Sequence, residues 1–163
     1  MIHILKNGLD PVPEQQAIRD KCFHPSGAFV EFPIEDVEAS IPARFEKIFR
    51  QHPDRIAVKT ETGVVTYGEL NAMANRFAKS LLQCTGSRAG LVALLLEKDV
   101  AQVAAMLGVL KAGKFFLILD PSFPKARLIA MLKGSWAKLV VTNQRNASLA
   151  NEIATPDCEL IQW

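Results

Sequence analysis

From Ser40 onward the apolar residues fall into periods that specify elements. Ile41, Phe45, Ile48 and Phe49 recur at helical spacing, with Arg44, Lys47, Arg50 and Gln51 on the opposite side, which predicts an amphipathic helix. Ser40 supplies its N-cap. His52-Pro53-Asp54 stops it, because proline disfavours the α conformation at the residue before it. Residues 56–60 and 64–66 are rich in β-branched side chains and flank Glu61-Thr62-Gly63, the pattern of a hairpin with a short glycine-containing loop. Thr66-Tyr67-Gly68-Glu69 has the spacing of a capping box. Behind it Leu70, Met73, Ala74, Phe77 and Leu81 mark one face of a helix ending near Cys84-Thr85-Gly86.

The most regular stretch follows. Residues 91–96 are apolar without a break, as in a strand covered on both faces. Val100, Val103, Ala104, Leu107 and Leu110 predict a helix with that face inward, closed by Lys111 and by Gly113 at C′. Phe115–Leu119 is a second wholly apolar strand, expected in the sheet interior with Leu117 at its centre. Pro124 suits the first turn of another helix, with Leu128, Ile129 and Leu132 inward and Gly134 after it. Leu139–Thr142, Ala147–Ile153 and Glu159–Gln162 predict a strand, a short helix and a final strand. Apolar strands alternating with amphipathic helices predict an α/β fold: a partial doubly wound, mostly parallel sheet with flanking helices, plus the β-hairpin. A unit that stops on a strand without a closing helix is expected to be cut from something longer, and its open edges and faces to self-associate.

Residues 1–39 differ from the rest. They hold Pro11, Pro13, Pro25 and Pro33, four of the nine prolines, with a turn at Pro25-Ser26-Gly27. They are expected to be a leader or linker segment, with 40–163 as the folded unit. The net charge of +2, from 19 basic and 17 acidic residues, argues against a surface built to neutralise nucleic-acid phosphates. Three widely spaced cysteines, Cys22, Cys84 and Cys158, fit reduced thiols in the cytoplasm. The apolar runs are far shorter than the ~20 residues a membrane-crossing helix needs, and residues 2–5 are too short for a signal-peptide core. No nucleic-acid or membrane partner is expected.

Several strings have the look of chemistry. Gly108-Val109-Leu110-Lys111-Ala112-Gly113-Lys114-Phe115 approaches a phosphate-binding loop, but such a loop joins a strand to a helix N-terminus, and here a helix ends and a strand begins. Phe115 also stands where a magnesium-binding hydroxyl is needed. Cys22-Phe23-His24 offers two ligands where a structural zinc site takes four. His3 and His52 have no acidic partner at metal-binding spacing. Asn146-Ala147-Ser148 is a glycosylation sequon, relevant only to a secreted chain, and no Gly-x-Ser-x-Gly nucleophile elbow occurs. Asp120, at the carboxyl end of a strand, is either a turn former before Pro121 or a phosphoacceptor of receiver type, for which Glu97 and Asp99 come closest to supplying the further acids.

Taken in order, the motifs resemble the N-terminal part of adenylate-forming enzymes, most of all nonribosomal peptide synthetase adenylation domains with their acyl-CoA-synthetase-like fold. Pro53-Asp54-Arg55-Ile56-Ala57-Val58 resembles their opening strand. Val65-Thr66-Tyr67-Gly68-Glu69-Leu70-Asn71, followed by Ala74-Asn75-Arg76-Phe77-Ala78, resembles their first core motif. Leu110-Lys111-Ala112-Gly113, running through Phe115-Phe116 to Asp120-Pro121, resembles the second, and Pro124, Arg127-Leu128 and Leu139–Thr142 continue the match. It covers about residues 40–143. The second motif usually has Tyr where Phe116 stands and Pro where Ile118 stands; both replacements keep an apolar strand.

The resemblance implies a complete enzyme that uses ATP and magnesium to turn a carboxylic acid, an amino acid in this branch, into an acyl-adenylate. It would then load a phosphopantetheine carrier domain, with the remainder of the adenylation domain as this region's first partner. The family's Ser/Thr/Gly-rich phosphate loop, later ATP-binding motifs, substrate pocket and catalytic lysine follow this region. The resemblance therefore assigns the chain no catalytic, cofactor-binding or metal residue, and no activity by itself. Thr66, Tyr67, Glu69, Leu70, Lys111, Ala112, Gly113, Asp120 and Pro121 are expected to be framework. A non-catalytic interaction or regulatory module on the same scaffold, and a receiver-like domain using Asp120, remain as alternatives.

Overall fold

The computed structural model describes Pro13, residues 34–61 and residues 63–163. The chain divides into two units, Met1–Glu38 and Ala39–Trp163. In the first, one 3-10 turn is described, Ile34–Val37. His3, Pro11, Cys22, His24 and most of the expected leader lie outside the described residues, as does Thr62 of the hairpin loop.

The second unit begins with α1 (Ile41–Gln51), whose first turn is capped by Ser40 Oγ accepting the Ala43 N–H at 3.3 Å. Strands β1 (Ile56–Lys59) and β2 (Val64–Thr66) form the antiparallel hairpin, with an irregular register between Ile56 and Val58. Then come α2 (Tyr67–Thr85), β3 (Leu91–Leu95), α3 (Val100–Lys111), β4 (Phe115–Leu119) and α4 (Lys125–Ser135). Strand β5 (Leu139–Thr142), a 3-10 turn (Gln144–Asn146), α5 (Ala147–Ile153) and β6 (Glu159–Gln162) complete it. The larger sheet is wholly parallel, in the order β4-β3-β5-β6.

The unbroken apolar strands are explained by two helical layers. Val92, Leu94 and Leu96 of the β3 segment join Leu139 and Val141 against Phe77, Ala78 and Leu81 of α2 and Ala105 and Val109 of α3. Ala93, Leu95 and Val140 point the other way, onto Leu128 and Leu132 of α4 and Ala150 and Ile153 of α5. Alternation along each strand thus feeds two cores, and burying each leucine contributes about 1.5–3 kcal/mol. The doubly wound expectation is met.

Three expectations are corrected. Among the described residues Phe115–Leu119 is an edge strand, not an interior one: the crossover after β4 returns to the far side of β3, so β5 takes the interior place. Leu117 is accordingly half-buried, and Phe115 is 63% exposed. In α3 the buried residues are Gln102, Ala104, Ala105, Leu107, Gly108 and Val109, whereas Val100, Val103 and Leu110 are only half-buried. The helix is covered on two sides: Ala104 and Leu107 of the predicted stripe, with Val103, pack against Leu70 and Ala74 of α2, and Ala105 and Val109, outside that stripe, pack with the sheet. Finally, α4 runs through Gly134, and the left-handed residue that ends it is Trp136, at φ 60°. Ser135 closes that turn, its Oγ donating to the Leu132 carbonyl at 2.8 Å and accepting the Ala137 N–H at 3.3 Å.

Helices α2 and α3 approach so closely at Gly108 that a Cβ there would lie 2.7 Å from Phe77 Cδ1 and 2.8 Å from the Ala74 carbonyl oxygen. Backbone on the far side cannot rotate away as a side chain can. Gly108→Ala should therefore destabilise the fold by about 1–3 kcal/mol, the usual cost of overpacking, read as a lowered denaturant midpoint. In the same assay Leu94→Ala, at a fully buried site, should cost about 2–5 kcal/mol. Leu117→Ala on the edge should cost clearly less, on the order of 1–2 kcal/mol, because part of that side chain already faces solvent.

Candidate functional site

Open parallel sheets place function outside the carboxyl ends of their strands, where successive crossovers leave in opposite directions. Here that point lies between β3 and β5, with β4 on the other side of β3. It gathers Glu97, Lys98 and Asp99 after β3, Asp120, Pro121 and Ser122 after β4, and Thr142 at the end of β5 with Asn143, Arg145 and Asn146 after it.

Glu97 is the hub. Asn143 Nδ2 donates to its Oε2 at 2.6 Å, and Asn146 Nδ2 to its Oε1 at 3.0 Å. Asn143 Oδ1 accepts both the backbone N–H of Asn146, at 3.0 Å, and its Nδ2, at 3.1 Å. Arg145 Nε lies 3.8 Å from Glu97 Oε1. Burial pushes the Glu97 carboxyl up, but the Asn143 bond, a backbone bond, the Asn146 bond and the Arg145 charge outweigh it and hold it below the usual value. Around the hub, Thr142 Oγ1 donates to the Leu95 carbonyl at 3.2 Å and the buried Gln102 Nε2 to the Leu96 carbonyl at 3.1 Å. Asp99 caps α3 by accepting the Gln102 N–H at 3.2 Å.

Asp120 is equally committed. Its Oδ1 accepts the Ser122 N–H at 3.0 Å and Oγ–H at 2.7 Å, while Lys98 Nζ sits 2.7 Å from Oδ2. The Lys98 contact, then the two Ser122 bonds, depress its carboxyl to about 2. This is an Asx-type turn braced by a lysine. A receiver site needs acids converging on one metal. Instead Glu97 faces two asparagines, Asp99 caps a helix and Asp120 holds a turn. Among the described residues no three His, Cys, Asp or Glu side chains gather to hold a metal ion.

The structure places the first motif at the junction of hairpin and α2. Thr66 Oγ1 accepts the Glu69 N–H at 3.2 Å and Glu69 Oε2 accepts the Thr66 N–H at 2.8 Å, so both halves of the capping box are made. Tyr67 donates its N–H to the Arg55 carbonyl and packs its ring 5.9 Å from Phe45. Leu70 is buried with Ala74, Ala104 and Leu107.

The second motif ends α3. Gly113, at φ 70°, donates its N–H to the Leu110 carbonyl, and Lys114 donates to Val109. This paired pattern is a Schellman motif with Ala112 as the cap. Lys111 turns back from it: its nearly buried Nζ reaches Glu46 Oε1 at 2.6 Å and Asn71 Oδ1 at 2.9 Å, tying α1, α2 and α3 together. That hydrogen bond, and the lysine's charge, lower the Glu46 carboxyl. The buried Lys114 Nζ donates to the Gly86 and Arg88 carbonyls, at 3.0 and 2.6 Å. The glycine-lysine string is thus a helix C-terminus whose dipole repels an anion, and its second lysine already holds two carbonyls.

Asn146 of the sequon is buried and its amide is bonded to Glu97 and Asn143, so it is no glycan acceptor in this fold. The backbone N–H of His52 closes α1 on the Ile48 carbonyl. A wide groove of about 840 Å³, lined by Pro42, Glu46, Lys79, Leu82, Leu110 and Lys111 among others, lies by the C-terminus of α3, toward the amino end of the sheet and away from the Glu97 hub. Sequence reasoning missed the Glu97–Asn143–Asn146 network and the Lys111–Glu46–Asn71 tie. The one local signal for the former is Asn143 three residues before Asn146, the spacing of a helix cap after a strand.

Comparison with known proteins gives a concordant picture. The family model described as AMP-binding enzyme matches residues 45–161. Surfactin synthase subunit 2 of Bacillus subtilis is 38% identical over 109 residues, 67% of this chain and 3% of that protein. The nonribosomal peptide synthetase fmqC of Aspergillus fumigatus is 42% identical over 118 residues, 72% of this chain and 10% of its own length. Among solved structures, a benzoate CoA ligase from Burkholderia xenovorans aligns with a TM-score of 0.64 at 29% identity, over 75% of this chain and 25% of that one. The N-terminal subdomain of NpsA from Klebsiella oxytoca gives 0.67 at 19% identity, over 76% and 30%, a likeness of fold alone. The chain spans a tenth or less of the length of these two curated relatives.

Two outcomes follow from the geometry. Because Asp120 titrates near 2 when folded, below its ordinary 3.8, its stabilising contribution is present above pH ~4 and is lost as pH falls toward ~2. Asp120→Asn should flatten the acid limb of the stability-against-pH curve in that window. Lys111→Met removes a nearly buried ammonium's bonds to Asn71 and to Glu46, which stays part-exposed and bonded to Arg50, and should lower stability at neutral pH by about 0.5–1.5 kcal/mol, the usual net worth of such a hydrogen bond, measured by chemical denaturation.

Proposed function

The chain belongs to the AMP-binding enzyme family, and from that premise we propose that it forms the N-terminal framework of an adenylation domain. Residues 40–163 belong to that domain and residues 1–39 are a leader to it. The protein it serves activates a carboxylic acid with ATP to an acyl-adenylate, releasing pyrophosphate, and passes the acyl group to the phosphopantetheine thiol of a carrier domain. An amino acid is the expected substrate class, since the curated relatives are peptide synthetases. The observation that carries this reading is the unbroken family match over residues 45–161.

The division of labour rests on the site. What supports it is that Glu97, Asp99 and Asp120 are each already held by neighbours, and that among the described residues no three His, Cys, Asp or Glu side chains gather at one point. The chain's glycine-lysine string ends a helix instead of opening one. No step of the reaction is assigned to these side chains. Thr66, Tyr67, Glu69, Leu70, Lys111, Ala112, Gly113, Asp120 and Pro121 serve as framework, fixing helix ends, turns and the joint between α1, α2 and α3. No helix among the described residues is long and apolar enough to cross a membrane, and the cytoplasm is the proposed location.

Carboxylate-dependent exchange of pyrophosphate into ATP tests the proposal. The full product of the reading frame that contains this chain should exchange with at least one amino acid, and the purified 163-residue chain with none. Robust exchange by the 163-residue chain would overturn the framework assignment. A full product inert toward every acid would favour a non-catalytic module on the same scaffold.

A further inference from the structure

We draw no further inference here: the strongest candidate, the cavity of about 410 Å³ at the amino end of the parallel sheet, which the buried Lys114 lines with Arg88, Lys138 and Trp136, carries nothing, because Lys114 is committed to the Gly86 and Arg88 carbonyls beside a helix C-terminus whose dipole repels an anion, and nothing in the structure shows what occupies it.

Discussion

A parallel sheet has to be covered on both faces, and the rest of this fold follows from how that is done. Parallel strands cannot be joined by tight turns, so each connection is a crossover helix that lands on one face or the other. Strands β3 and β5 lie at the centre of the sheet and send alternate side chains into two separate cores. Leu94 and Leu95, adjacent in sequence and both fully buried, belong to opposite cores. One layer is then doubled, with α2 stacked on α3 through a contact so close that only a glycine fits at position 108. Small residues at Ala74, Ala104 and Ala105 belong to the same requirement, since they let two helices share the space above one face.

The ends of the elements are fixed by polar groups that look inward. Thr66 and Glu69 close the start of α2, Gly113 and Lys114 close α3, and Lys111 reaches across to α1. At the carboxyl end of the sheet, the position that often receives a ligand is filled by Glu97 and two asparagines. Every lone pair committed there is one unavailable to a phosphate-bound metal. These bonds hold the ends of β3 and β5 and the turn after them in register.

Much of the fold was legible along the chain because its signals are local. Helix and strand periods, the capping box at Thr66, the cap at Ser40 and the glycine after α3 depend on residues within a turn or two of one another. Each is found in place. The reading weakened where one element is buried on two sides. In helix α3 the predicted stripe packs in part, Ala104 and Leu107 with Val103 against Leu70 and Ala74, but Ala105 and Val109, which lie outside the stripe, are buried as well. The candidate site was less legible. Asp120 as a turn former could be weighed from its neighbour Pro121, yet its partner Lys98 comes from another strand's end.

The sequence by itself determined that the chain is an α/β unit with apolar parallel strands, where most of its helices start and stop, and which family motifs it carries. Those properties rest on periodicity and on contacts within a few residues. Only the tertiary structure decided that β5 and not β4 sits beside β3 on the interior side, leaving β4 as an edge among the described residues. It alone brought Glu97 to Asn143 and Asn146, 46 and 49 residues away, and Lys111 to Glu46, 65 residues away. Strand order is fixed by the direction in which each crossover returns, and an apolar strand reads alike at the centre and at the edge, because its composition records the helices above and below it and not its neighbours alongside.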